Sequence, residues 1–259
     1  MVYWRIIRKS YIRNLQYRAS HLINNVASAI FGFVYMAIWF GVLDGRAGNS
    51  PYDQQTMAQY ITLTQCLLWV TTFHTPGLGI QNGVRTGAVS TDLMRPISYF
   101  LYVISMEFGK VVYSFLYRFI PVGLILGCIA GFSFPQQLQT YLWFLLSFLF
   151  AVFLGLLLFY ITGISSFWTT EIRWSHNILI TLIFGLGGQM IPVELLPGYL
   201  GQLSLYLPFS GILYTPAMIF LDRIDPSMIA RQAGWAIALT CVALLLTGMA
   251  RRKVEVQGG

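Results

Sequence analysis

Three ionisable side chains stand out because the residues around them are apolar: Glu107, Lys110 and Arg118. Glu107 and Lys110 are three positions apart, which puts them on one face of a helix and within reach of each other. In a hydrophobic stretch such a pair either anchors the helix near the inner interface or relays protons along a transport path. Arg118 lies deeper in the run and needs carbonyls, a carboxylate or a water-filled cavity. It can serve the helix bundle or hold an anionic headgroup.

Other chemistries find no foothold. His21, His74 and His176 stand alone, and Cys66, Cys128 and Cys241 are scattered through apolar runs. Neither a zinc site, a serine triad nor a disulfide framework is expected from such spacing. A nucleotide-binding G-x-x-x-x-G-K-[ST] loop is missing: the only Gly-Lys pair, Gly109-Lys110, is followed by Val111 and lacks the upstream glycine. The chain is therefore expected to bind no nucleotide, metal or other cofactor and to catalyse nothing by itself.

The elements that carry these residues must be membrane helices. Of 259 residues, 56% are hydrophobic and only 10% charged, where a soluble domain carries roughly 25% charged residues. Runs near the ~20 apolar residues that cross a hydrocarbon layer are expected at 22–43, 57–80, 111–132, 140–164 and 228–249, with a shorter, glycine-rich one at 178–191. Ahead of them, 2–20 reads as an amphipathic helix on the membrane surface. Trp4, Ile7, Tyr11, Leu15 and Leu22 recur on one face, while Arg5, Lys9 and Arg13 project from another. The segment 192–226 is apolar but interrupted by Pro192, Pro197, Pro208, Pro216 and Pro226, so it cannot be one spanning helix. Two short helices that enter the outer leaflet and return satisfy it. The fold class is thus an all-α integral membrane domain, with six spans, an interfacial N-terminal helix and outer re-entrant helices.

Charge fixes the orientation. With both termini inside, the inner segments hold Arg5, Arg8, Lys9, Arg13, Arg18, Arg85, Arg95, Arg173, Arg251, Arg252 and Lys253. The outer ones hold Arg46, Arg223 and Arg231 against Asp44, Asp53, Glu194, Asp222 and Asp225. This is the positive-inside distribution. It explains the formal net charge of +7 through lipid headgroups, without a nucleic-acid partner.

The spans offer no evident engine, so energy must arrive at the inner side through a partner. The polar segment 83–98, bounded by glycine and proline with Thr91 placed to cap a helical turn, is the best contact for one. Its residues Arg85, Thr86, Asp92, Leu93, Met94, Arg95 and Pro96 are the candidate coupling surface.

The sequence resembles stand-alone ABC-2 type permeases of the multidrug-exporter branch. Three stretches carry the resemblance: Arg85 through Pro96, similar to a cytoplasmic G-x-x-x-x-x-L-x-R-P motif; Ser165-Ser166-Phe167-Trp168-Thr169 with Glu171; and Gly188 with Ile191-Pro192-Val193-Glu194-Leu195-Leu196-Pro197, then Leu207-Pro208-Phe209 and Pro216. Such a likeness implies one ABC-2 transmembrane domain over 1–259 in a plasma (inner) membrane, paired with a second or sister permease. It also implies separate ABC ATPase subunits that carry ATP and magnesium, with 83–98 as the coupling helix. Pro192, Glu194, Pro197, Pro208 and Phe209 would belong to the outer region closing the exit. ATP-driven export of an amphipathic, drug-like or lipid-linked cargo by alternating access is the expected activity. The rival is a passive channel or assembly scaffold without ATP coupling.

Overall fold

Prolines and left-handed residues set the element boundaries. The computed structural model describes residues 2–45, 51–131 and 134–257, and these form helices and turns with no strand among them. Helix α1 (Val2–Asn14) passes through a tight turn at Leu15–Tyr17 into α2 (Arg18–Asp44). Helix α3 (Gln54–Thr71) starts on Asp53, whose carboxylate accepts the Thr56 N–H at 3.3 Å. That cap holds the Asp53 carboxyl below its ordinary value. The helix ends well before residue 80, because Pro76 lacks an N–H and Gly77, Leu78 and Gly79 take φ of 51°, 51° and 77°. Two short helices follow, α4 (Ile80–Thr86) and α5 (Ala88–Leu93).

Next comes one long rod. Helix α6 (Tyr99–Ser114), a π turn at Phe115–Phe119 and α7 (Ile120–Ala130) are continuous. The helix therefore begins at Tyr99 and includes Glu107 and Lys110, instead of beginning at residue 111; residue 132, its expected end, lies outside the described residues. Pro121 explains the π turn. It cannot donate to the Tyr117 carbonyl four residues back, and the side chain of Asn25 on α2 donates to that carbonyl at 2.8 Å instead.

Helix α8 (Leu138–Ile164) and the short α9 (Ser166–Thr169) precede α10 (Arg173–Leu186). The expected span at 178–191 is thus displaced toward the N-terminus, because Gly188 at φ 88° turns the chain out of the helix. Gly185 meets nothing within 4 Å, so it serves no close helix approach, whereas Gly187 and Gly188 are tightly packed. After a single turn at Val193–Leu195, α11 (Tyr199–Tyr206) and α12 (Tyr214–Phe220) form the two short helices of the outer region, and α13 (Ile229–Gln257) ends the fold.

Among the described residues, four stretches are long and apolar enough to cross a membrane: Leu22–Asp44, Tyr99–Ala130, Leu138–Thr169 and Pro226–Lys253. The 18 residues of α3 and 14 of α10 rise only about 27 Å and 21 Å, short of a ~30 Å hydrocarbon layer. Helix α3 is buried along most of its length, whereas α10 buries only Leu179 and Ile183 and leaves Trp174 and Ile178 exposed. Two buried pairs join α8, which carries no charged residue, to the uncharged stretch of α13: Ser147 donates to Gln232 at 2.9 Å, and the Tyr160 and Thr247 hydroxyls lie 2.6 Å apart.

The connections gather at two opposite ends of these rods. At one end Tyr3 accepts the Ser98 N–H (3.3 Å), Gln81 donates to the Thr170 carbonyl (3.0 Å), and Lys253 lies 5.9 Å from the Trp168 ring. At the other, Gln54 donates to Asp44, Thr140 to Asp222, and Arg223 to the Pro51 carbonyl. The side chain of Arg18 and all of Arg46, used above for orientation, lie outside the described residues.

Helix α1 turns part of its apolar stripe toward α6: Ile7 and Tyr11 are half-buried, and the Tyr11 ring lies 6.2 Å from that of Tyr113. It runs beside α6, with Ser10 as its buried residue donating to the Met106 carbonyl at 2.6 Å. Gly109 makes the approach possible, since a Cβ there would collide with the Ile7 carbonyl and with Ser10. Trp4, at the start of the stripe, is 70% exposed. Replacing Gly109 with valine is expected to lift α1 from α6, at a cost of about 1–3 kcal/mol for overpacking. Faster tryptic cleavage after Arg13 would register the release; an unchanged cleavage rate would contradict it.

Candidate functional site

The segment 83–96 forms a knuckle at the end of the bundle where both chain ends lie. Gly87, at φ 74°, closes α4 and opens α5 in a left-handed conformation that glycine adopts without strain. Thr91 therefore sits inside α5 and caps nothing. Val89 is buried and seats the knuckle; Leu93 is half-buried against the core. Beyond them the tip projects outward: Met94 is 83% exposed, and Pro96 is also exposed. Asp92 and Arg95 pair at 2.9 Å, and the Arg95 guanidinium lies 5.0 Å from the Tyr102 ring. Thr86 returns its hydroxyl to the Asn82 carbonyl at 2.8 Å.

A second loop meets this knuckle. Glu171 accepts from Gln81 at 3.0 Å and lies 4.0 Å from Arg85. The Gln81 amide, with the Arg173 N–H and the nearby arginines, holds the Glu171 carboxyl below its usual range. Two of the sequence stretches singled out above, far apart in the chain, thus form one surface.

Directly behind the knuckle lies a buried polar cluster. Glu107 accepts the Thr75 N–H at 2.8 Å and pairs with Lys110 at 3.2 Å. Lys110 also donates to the Thr75 hydroxyl at 3.2 Å, and the His74 Nδ1 is 3.6 Å from Glu107. Thr75 ends the approach from α3 and Glu107 sits on α6, so the cluster joins the two stems between which 76–98 is suspended. Gly163 on α8 lies in backbone contact with Gly77 and seats the left-handed turn. His74 was the residue sequence reading missed. It stands 33 positions from Glu107, and only the early end of α3 turns it toward α6.

Arg118 is engaged elsewhere. Its guanidinium stacks 4.1 Å from the centre of the Trp69 ring, at the π turn, and Trp69 donates to Ser28 at 3.0 Å. Facing Trp69, a cavity of about 240 Å³ opens between α2, α3 and α10, with Phe31, Phe73 and Phe184 among its walls and Asn24, Ser28 and Gln65 as its polar points. Gln65 and Gln189 are buried, Gln189 Nε2 donates to Gln65 Oε1 at 3.4 Å, and the Gln65 Nε2 has no hydrogen-bond partner among the described residues. A cavity of this kind takes an apolar, aromatic-compatible guest with a few polar groups.

At the far end Glu194 is exposed, accepting from Tyr214 at 2.6 Å and from Tyr52 at 3.1 Å. Burial and the Glu194 carboxylate push the Tyr52 hydroxyl well above its ordinary value. Pro192 and Pro208 are buried, Phe209 is half-buried, and Pro197 is exposed. Ser204 on α11 donates to the Leu186 carbonyl and Tyr214 donates its N–H to the Gly187 carbonyl at 3.0 Å. The outer helices thereby satisfy the open C-terminal end of α10.

Comparison with known sequences agrees with this architecture. The curated proteins offer no match to the chain. A family model described as ABC-2 family transporter protein matches residues 20–258.

Proposed function

The chain belongs to the ABC-2 family of transporter proteins, and from that premise we propose that it is the permease subunit of an ATP-driven exporter. As a member, it is a transmembrane transport component rather than a catalyst. The finer reading is that ABC ATPase subunits, carrying ATP and magnesium, seat the knuckle 83–96 at the cytoplasmic face. Six passages of the membrane with both termini inside fit the two groups of connections, with α3 as a short, protein-walled span and α10 as a short one on the periphery.

One observation carries the proposal: an exposed knuckle is tied at its base to both α3 and α6 through Thr75 and Glu107. A partner that moves the knuckle must move both stems together. Closure of an ATPase dimer on ATP would then tilt α3 and α6 and open the bundle outward, which is alternating access. The α2–α3–α10 cavity, completed by a second or sister permease, would hold an amphipathic, drug-like or lipid-linked cargo. The outer region from Pro192 to Phe209 would close the exit.

The test is isolation of the tagged chain in mild detergent from its native membrane, with identification of every co-purifying protein. A nucleotide-hydrolysing subunit, recovered in equal number to the permease and released by disruption of the knuckle, is the expected result. Recovery of the chain with no such subunit, together with passive solute flux in vesicles, would favour the channel reading instead.

A further inference from the structure

We propose that a zwitterionic phospholipid is resident at the outer end of α3 and α7, with one acyl chain in a lateral slot and its headgroup between Asp222 and Arg223. This site is separate from the cargo cavity and does not depend on the transport reading.

The slot is a cavity of about 230 Å³ walled by Thr62 and Cys66 of α3, Ile120, Gly123 and Gly127 of α7, and Phe220 of α12. Its lip faces the surrounding lipid, since Ile120 is 40% and Leu124 56% exposed. Along α7 it reaches from Ile120 to Gly131, about 16 Å at 1.5 Å per residue. That is half of a ~30 Å hydrocarbon layer, the depth of the chains in one leaflet. The opening is therefore as deep as one acyl chain and lies on another face of α3 from Gln65 and Trp69.

At its outer end the slot adjoins a second cavity of about 380 Å³, with Gln59, Phe134, Phe220 and Leu221 shared between the two. This mouth is polar where the slot is apolar. Thr56, Gln136, Gln137, Asp222 and Arg223 line it. An apolar shaft under a polar mouth is the outline of an amphiphile.

The charges select the headgroup class. Arg223 donates from Nη1 to the Pro51 carbonyl at 3.1 Å and from Nη2 to Thr56 at 3.2 Å. A guanidinium carries five N–H groups, so donors remain for a phosphate. Beside it, Asp222 accepts from Thr140 at 2.8 Å and can also receive an ammonium. Asp222 adopts φ 53°, a left-handed conformation that a non-glycine residue holds only under local constraint. A cation and an anion side by side at one mouth complement a head that carries both. An anionic head alone would meet the Asp222 carboxylate.

The full-length protein, purified in mild detergent and stripped of lipid, is titrated with dioleoyl phosphatidylethanolamine and separately with dioleoyl phosphatidylglycerol, and binding is counted by native mass spectrometry. One phosphatidylethanolamine is expected to bind at least about fivefold more tightly than phosphatidylglycerol. Asp222→Asn, which asparagine's tolerance of this backbone conformation keeps folded, removes the preference between the two lipids. Arg223→Gln weakens both. Leu124→Trp, on the exposed lip where the core is untouched, lowers both affinities at least about threefold by obstructing the slot. Equal binding of the two lipids by the wild type, or binding unchanged by Leu124→Trp and Asp222→Asn together, reveals only a non-specific lipid shell and overturns the proposal.

Discussion

Replacing Glu107 with alanine is expected to destabilise the folded chain by about 3–5 kcal/mol, the usual cost of removing one member of a buried ion pair. The loss has three parts. Lys110 keeps its charge without its partner at 3.2 Å, the Thr75 N–H loses its acceptor at 2.8 Å, and His74 loses the carboxylate beside it. Glu107→Gln separates them, since a glutamine oxygen still accepts from Thr75 while the charge is gone. It should fall between wild type and alanine. Adding Lys110→Met to Glu107→Ala removes the stranded charge and should recover part of the loss, which a double-mutant cycle measures. Thermal unfolding in one detergent, followed by helical circular dichroism, reads wild type, Glu107→Ala, Glu107→Gln, Lys110→Met and the double variant. Identical unfolding of wild type and Glu107→Ala would mean that the cluster contributes no stability.

The second large effect belongs to the knuckle. Met94 is 83% exposed and makes no contribution to the core, so Met94→Asp should leave folding intact. In the proposed complex it would place a carboxylate in an apolar contact. Recovery of ATPase subunits should drop on the order of tenfold, corresponding to about 1.4 kcal/mol of binding. Arg95→Ala breaks the 2.9 Å pair with Asp92 and the stacking on Tyr102, and should uncouple hydrolysis from transport while retaining part of the binding. A matched substitution at the opposite end, Gln136→Asp, serves as control. Equal recovery of ATPase with Met94→Asp and with the control would place the partner elsewhere on the chain.

What was legible in the sequence follows the physics of each feature. The long apolar rods needed only composition, because runs near 20 apolar residues have few alternative fates. Charge grouping was legible for the same reason, and the contacts that gather Tyr3, Gln81 and Lys253 at one end match the grouping of basic segments. The Glu107–Lys110 pair was visible through its i,i+3 spacing. Its third partner was not, because His74 is brought in by a left-handed turn that one-dimensional spacing does not encode. Arg118 was recognised as needing a partner, but an aromatic face was not among the choices considered, and Trp69 lies on a different helix. The apolar periodicity of α1 marked Ile7 and Tyr11, which do pack beside α6, but it did not mark the close approach itself, which is set by Gly109 and satisfied by Ser10. Helix ends moved for local reasons: Pro76 shortened α3, and Gly188 ended α10 before residue 191.

The seam between α8 and α13 carries a consequence for how the chain is built. Ser147 and Tyr160 are synthesised long before Gln232 and Thr247, their partners across the seam. During that interval α8 has two hydroxyl-bearing positions unmatched in the bilayer, and the Gly211 carbonyl, which Gln232 engages at 2.7 Å, is equally unattended. A nascent chain halted before α13 should therefore be held by the insertion machinery or surrendered to membrane proteolysis, and its release into lipid would coincide with the arrival of Gln232. Helix α13, which has no charged residue from Gln232 to Ala250, would close this seam.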